Sequence, residues 1–363
     1  MTHKIGEMFM LGFRTPEIPE WLHSFASEFG LGGVILFDYD VTIKKYERNI
    51  FDKAQVKKLC KEIHALPSRP LIYVDQEGGK VRRLKDKYGF APLPSAKQMG
   101  TMSKADRLAA LKPAYAEMKE VGIDVNLAPV IDLDFNPTSP DIGSAERSFS
   151  ADVKVVEECV KQIAEVANAN GIQLCLKHFP GTGAARANPH DDLMDLSKYT
   201  SDDQVNIFRT LLPMVPMALF SHGLVNQWEK NTPVCLSKYA VNMFRGWDPD
   251  AVVLTDDLQM QGVQKLMNTE TACVRALEAG ADVILLGHNM LDEQAKSVQF
   301  ARKAANAVES DPRCRANFEA SLKRIQKMKA AAQHEHRLLH SPASSPKSGC
   351  FLPRVAALLP ERP

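Results

Sequence analysis

The sequence carries almost no net charge. Its 45 Lys and Arg stand against 44 Asp and Glu, for a formal +1. No basic excess points to nucleic acid, and no block of like charge forms an interaction tail. No apolar run approaches the length of a membrane span. The opening MTHKIGEMFMLGF interleaves charged with apolar residues and lacks a small-residue cleavage site, so it does not read as a secretory signal. The seven cysteines are scattered and odd in number. With no Cys-x-x-Cys and no His-Glu-x-x-His, they read as reduced core thiols of a cytoplasmic protein, with no metal motif and no organic cofactor implied. No Gly-x-Gly-x-x-Gly follows any apolar run, which removes the best support for a doubly wound dinucleotide fold.

The chain has 363 residues, 45% of them hydrophobic, ample for a large core. Short apolar runs alternate with helix-like stretches from end to end. Strands are expected at 8–13, 33–37, 71–77, 126–133, 172–179, 216–222, 251–257 and 282–286. Helices are expected at 54–66, 105–121, 153–170, 270–279, 291–308 and 312–334, the fourth ending at Gly280 as a C-cap. Eight such strands predict an α/β protein with a single (β/α)8 TIM-type barrel over 1–335. After His340 the composition turns to Ser and Pro, and residues 336–363 are expected to form a disordered tail.

The chain is organised around 171–192, GIQLCLKHFPGTGAARANPHDD. A buried strand delivers Lys177 and His178 at its end and hands over to a long polar loop. The other runs do the same. Asp75 ends one, Asp132 and Asp134 another, Ser221 and His222 another, Asp256 and Asp257 another, and His288 follows the last. A barrel converges its strand carboxyl ends on one face, so these residues define the candidate site. Asp256 directly follows the rigid run Val252–Thr255 and is the best placed nucleophile.

These stretches resemble glycoside hydrolase family 3, most closely its β-N-acetylglucosaminidase branch. Lys177-His178-Phe179-Pro180-Gly181, Gly183 and His190 match that branch's Lys-His-Phe-Pro-Gly-His-Gly and the Asp-Ser-His of its loop. Thr182, Asn188 and Pro189 depart, standing where the branch has His, Asp and Ser. VDQEGGKVRRL, IGSAERSFS and TDDLQM resemble three further family motifs, the second with one extra residue before Arg147.

The resemblance covers about 1–335 and implies a barrel whose first TDD carboxylate, Asp256, is a nucleophile. A covalent glycosyl-enzyme and net retention follow. It implies that His190 is the acid/base, with Asn188 in place of the carboxylate that usually orients it. An amide still accepts a proton from one ring nitrogen but brings no charge to stabilise imidazolium. It also implies that Asp75, Arg83, Arg147, Lys177 and His178 bind the sugar. The expected reaction is exo-hydrolysis of terminal β-linked GlcNAc from muropeptides or short chitooligosaccharides, by a monomer or weak homodimer needing no cofactor. Three alternatives stay open: a weakened homologue that binds amino sugars, a β-glycoside phosphorylase, and a metal-dependent barrel hydrolase using the His and Asp strand ends.

Overall fold

The computed structural model describes residues 2–186 and 193–340. Its main strands are β1 (Phe9–Leu11), β2 (Gly33–Leu36), β3 (Leu71–Val74), β4 (Val125–Asn126), β5 (Gln173–Leu174), β6 (Leu176–Phe179), β7 (Met217–Phe220), β8 (Val252–Thr255) and β9 (Ile284–Leu286). Nearly every position in them is buried, as expected of parallel strands covered on both faces, and so they read as unbroken apolar runs. They form two sheets, a six-stranded one in the order β9-β1-β2-β3-β4-β5 and a three-stranded one in the order β6-β7-β8, with every pairing parallel.

All eight expected strand regions carry a strand, with two differences of detail. The expected strand at 126–133 pairs only at Val125–Asn126 and again at a single bridge, Val130 with Lys177. Pro129 lies between them and has no N–H to give a ladder. The expected strand at 172–179 is split at Cys175 into β5 and β6, so the sheet changes there. A second isolated parallel bridge, Leu254 with Val283, links β8 to the segment entering β9.

The helices are α1 (Glu20–Phe29), α2 (Lys53–His64), α3 (Lys104–Val121), α4 (Val153–Ala169), α5 (Asp202–Leu211), α6 (Lys238–Trp247), α7 (Thr269–Ala279), α8 (Ser297–Ser310) and α9 (Pro312–His340). Side chains cap most of their first turns: Asp52 accepts from the Gln55 amide, Ser201 from Gln204 and Asn268 from Thr271. Helix α7 ends at Gly280, as its sequence predicts. Helices α1, α5 and α6 were not expected. Each has only ten residues, with its buried face at helical spacing, as in Leu22, Phe25, Ala26 and Phe29 of α1. The expected helix at 291–308 begins later, at Ser297, after a 3-10 turn at Gln294–Lys296. The Ser/Pro-rich stretch beyond His340 lies outside the described residues.

An aromatic cluster supports the carboxyl end of β6. The fully buried Phe179 ring lies 4.5–5.9 Å, centroid to centroid, from Phe220, Phe208, Phe244, Trp228 and Trp247. It fixes the strand end immediately after Lys177 and His178. Phe179→Ala should cost about 3–5 kcal/mol of unfolding free energy through lost contacts and a cavity. Urea unfolding followed by tryptophan fluorescence checks this, and a cost below about 1 kcal/mol would show that the cluster does not brace the strand.

Candidate active site

The carboxyl ends of the strands open into a cavity of about 500 Å³. Asp75, Arg83, Arg147, Lys177, His178 and Asp256 all line it, although they lie up to 181 positions apart in sequence. Glu77, Asp141, Phe37 and Asn289 line it too.

Asp75 follows β3, and Glu77 sits in the first strand of a short hairpin, Gln76–Gly78 with Val81–Arg82. Gly78 and Gly79 turn that hairpin at φ 108° and 54°, where a side chain would be strained. The turn returns Arg83 to Asp75, with Nη2 3.1 Å from Oδ2. Lys177, at the end of β6 and 2% exposed, places its ammonium between two carboxylates, 2.8 Å from Asp75 Oδ1 and 2.6 Å from Glu77 Oε1. Arg147 grips Glu77 through two parallel bonds of 2.8 and 2.9 Å and reaches Asp141 Oδ1 at 2.7 Å. At the other end Arg83 Nη1 lies 4.0 Å from Asp38 Oδ1, and Asp38 is paired with Lys85. Acids and bases thus alternate along one chain: Lys85, Asp38, Arg83, Asp75, Lys177, Glu77, Arg147, Asp141.

His178 joins this chain to β4. Its Nδ1 is 2.7 Å from Asp132 Oδ2 and its Nε2 is 3.1 Å from Arg147 Nη2. A neutral ring satisfies both when Nδ1–H donates to Asp132 and Nε2 accepts from Arg147. Asp132 is fully buried and also accepts from the backbone N–H of His178 and of Thr182, and from the Thr182 hydroxyl. Thr182, one of the departures from the motif, therefore bonds to the same carboxylate as His178.

The charges follow from this pairing. Burial alone would raise Asp75, but the Lys177 ammonium and Arg83 guanidinium outweigh it and hold the carboxyl well below the usual range. Burial opposes ionisation of Glu77 as well, and Arg147 and Lys177 again win. Lys177 and Arg147 are pushed the other way by the same partners, so both keep their charge against the cost of burial.

Asp256 differs from these. Its backbone N–H donates to the Phe220 carbonyl on β7, and its Oδ1 accepts from the Asp257 N–H at 2.8 Å. Among the described residues it pairs with no cation. Asp257 is buried, and desolvation, with the Asp256 charge nearby, raises its carboxyl to about 7 against the backbone hydrogen bond from Gln259. His222 is held between the Asp257 carbonyl and Cys235 Sγ, and His288 between Gln259 and Ser297. Neither histidine lines the cavity.

Two expected residues, His190 and Asn188, lie outside the described residues, as do Asp191 and Asp192. Sequence reasoning missed Glu77 and Asp141. Glu77 had a signal, since it stands two positions after Asp75 and so belongs to the same strand end. Asp141 had none.

The N-terminal-domain profile of glycosyl hydrolase family 3 matches residues 1–328. A β-hexosaminidase of Bordetella avium is 30% identical over 293 residues, covering 77% of this chain and 80% of that protein. An Arthroderma benhamiae protein described as an uncharacterized secreted glycosyl hydrolase is 28% identical over 338 residues, covering 90% of this chain and 92% of that one. Among solved structures, a family 3 β-N-acetylglucosaminidase from Paenibacillus sp. str. FPU-7 superposes with a TM-score of 0.81 at 26% identity. That match covers 98% of this chain and 66% of the Paenibacillus one. The architecture is accordingly a TIM-like α/β fold. No helix among the described residues is long and apolar enough to cross a membrane.

The ion chain makes the site sensitive to acid. Asp75 and Glu77 are held below their unfolded values of about 3.9 and 4.3, so their contribution to stability is fully present above that range and is lost as pH falls below it, down through their lower folded values. Glu77→Gln leaves two buried cations short of a partner and should cost about 3–5 kcal/mol at neutral pH. Its stability should also fall less steeply in acid than the wild type's. Denaturant unfolding across an acid series measures both, and equal slopes in the two proteins would show that Glu77 is not held as described.

Proposed function

The chain belongs to glycosyl hydrolase family 3 and is a glycoside hydrolase, and from that premise we propose that it is a retaining exo-β-N-acetylglucosaminidase. Its substrates would be muropeptides or short chitooligosaccharides ending in β-linked GlcNAc. The observation that carries this reading is the contrast among the lining carboxylates. Asp75, Glu77 and Asp141 are each tied to a cation, whereas Asp256 pairs with none among the described residues. A carboxylate neutralised by an ammonium is a poor nucleophile, and one held by a single backbone N–H keeps its second oxygen for attack.

In this reading Asp256 attacks the anomeric carbon and the aglycone leaves. The covalent glycosyl-enzyme is then hydrolysed with net retention. Asp75, Arg83, Arg147, Lys177 and His178 hold the sugar. His190 gives a proton to the leaving oxygen and then takes one from water, with Asn188 as its amide partner. We read the two sheets as one closed (β/α)8 barrel over 1–335, since isolated bridges join them on both sides, with 336–363 as a tail. The names of the Bordetella and Paenibacillus relatives support the sugar specificity. Six described cysteines, all free and buried, fit a reducing compartment and so the cytoplasmic reading; we read the enzyme as a monomer or weak homodimer that needs no metal or organic cofactor.

A second reading, a weakened homologue that binds amino sugars, is favoured by Asn188. Loss of the carboxylate partner of a catalytic histidine lowers kcat by about 10⁴ in the serine-protease triad. Purified protein should hydrolyse an aryl β-GlcNAc in preference to the β-glucoside and β-xyloside, with the same rate with and without phosphate or a chelator. Asp256→Ala should abolish turnover without unfolding the protein. Asn188→Asp should raise the rate on a natural disaccharide more than on the aryl glycoside, because the poorer leaving group needs the proton more. Phosphate-dependent turnover would make the enzyme a phosphorylase. Silence of both His190→Ala and Asn188→Asp on both substrates would remove the loop from the mechanism.

A further inference from the structure

The residue after the proposed nucleophile sits in a denser set of bonds than its neighbour. Asp257 is 7% exposed and its own N–H is the donor to Asp256 Oδ1. Its carbonyl accepts from His222 Nε2 at 2.8 Å and from the Met260 N–H at 3.0 Å. Its carboxylate Oδ1 accepts from the Gln259 N–H, 3.0 Å away on its own loop, and its Oδ2 is seated against Gly287, just beyond β9. The Gly287 carbonyl is in turn held by Arg48 Nη2 at 2.8 Å. Gln259 repeats the connection, since its Oε1 accepts from the His288 N–H at 2.8 Å. The loop carrying Asp256 is thereby fastened to the loop after β9, and Asp257 is the fastening closest to the nucleophile.

Resting on the reading of Asp256 as nucleophile, we infer that Asp257 is its positioning residue. The anionic carboxylate of Asp257, bonded to the Gln259 amide and seated against Gly287, fixes the N–H that orients Asp256 for attack. The ionised carboxylate is the stronger acceptor for the Gln259 N–H. Protonation weakens that bond and puts an O–H where Oδ2 is pressed against Gly287. The groups that surround Asp257 are Asp256 on its own loop, Arg48 after β2, and His222 after β7. Cys273 of α7 faces it as well, and His288, Asp292 and Glu293 after β9 lie further out, interacting with one another and with Arg48. Burial and the Asp256 charge bring the Asp257 carboxyl to about 7. The alignment of Asp256 is therefore complete on the alkaline side of that value and loosens on the acid side. Gly287 is the matching half of the device. A Cβ there would lie 2.6 Å from Asp257 Oδ2, so only glycine leaves room for the carboxylate.

The test isolates the first chemical step. A fluorosugar with a fluoride leaving group needs little protonation, so its rate of covalent attachment reports attack by Asp256 and not proton donation by the loop. In the wild type this rate should rise with pH through about 7. Asp257→Asn, which has the shape of the protonated acid, should label about 10–100-fold more slowly. Its rate should be flat over the same pH range, and its dissociation constant for GlcNAc should stay unchanged. Gly287→Ala, which displaces the carboxylate without altering charge, should label slowly as well, and it carries the test if Asp257→Asn does not fold. Labelling of Asp256 in a folded variant at the wild-type rate and pH profile would overturn the positioning role alone. Wild-type label on any residue other than Asp256 would overturn the nucleophile reading instead.

Discussion

The Lys177 ammonium, set between the carboxylates of Asp75 and Glu77, is the contact on which the rest of the site depends. Two acids two positions apart at one strand end are buried together, an arrangement that like charge and low dielectric both oppose. Lys177 makes it tolerable, and it can do so only because Arg83 and Arg147 take up the remaining oxygens. Each buried ion costs several kcal/mol to desolvate, so the chain from Lys85 to Asp141 is stabilising only when complete. What the arrangement provides is preorganisation. The donors and acceptors along the cavity wall are fixed before a ligand arrives, and little side-chain entropy remains to be lost on binding.

That completeness also sorts the acids by role. Where every other lining carboxylate but one is bound to a cation, the negative charge at Asp256 stands apart, steadied by one backbone N–H. Asp257, the remaining lining acid, bonds the Gln259 amide instead and is seated against Gly287, so its carboxylate serves the backbone and not the ligand. Two successive aspartates just past β8 therefore differ in their partners. Asp256 keeps one oxygen without a hydrogen bond among the described residues, whereas the carboxylate of Asp257 is taken up by the Gln259 amide and the approach to Gly287 after β9.

Much of this was legible in the sequence because parallel strands buried on both faces announce themselves as apolar runs, and because a polar residue at the end of such a run stands out. Asp75, Lys177, His178 and Asp256 are all of that kind. The pairing between them was not legible. That Arg147 would close on Glu77, or Thr182 on Asp132, depends on how loops from different strands cross, and no periodicity records it. Asp141 lies in an irregular loop with nothing in its local sequence to mark it. Helices α1, α5 and α6 escaped for another reason. Their buried residues do fall at helical spacing, Leu22, Phe25, Ala26 and Phe29 in α1 for example, so the signal is present but weaker than that of the apolar strand runs beside it.

In the proposed mechanism Asp256, the carboxylate left without a cation, becomes covalently bonded to the sugar during turnover. The anomeric configuration of the first product formed bears on this step. Proton NMR during the first minutes of hydrolysis of an aryl β-GlcNAc, before mutarotation blurs the signal, distinguishes the two anomers. The β-anomer should appear first, since two displacements restore the original configuration. Initial release of the α-anomer would mean a single displacement by water and would contradict a covalent role for Asp256.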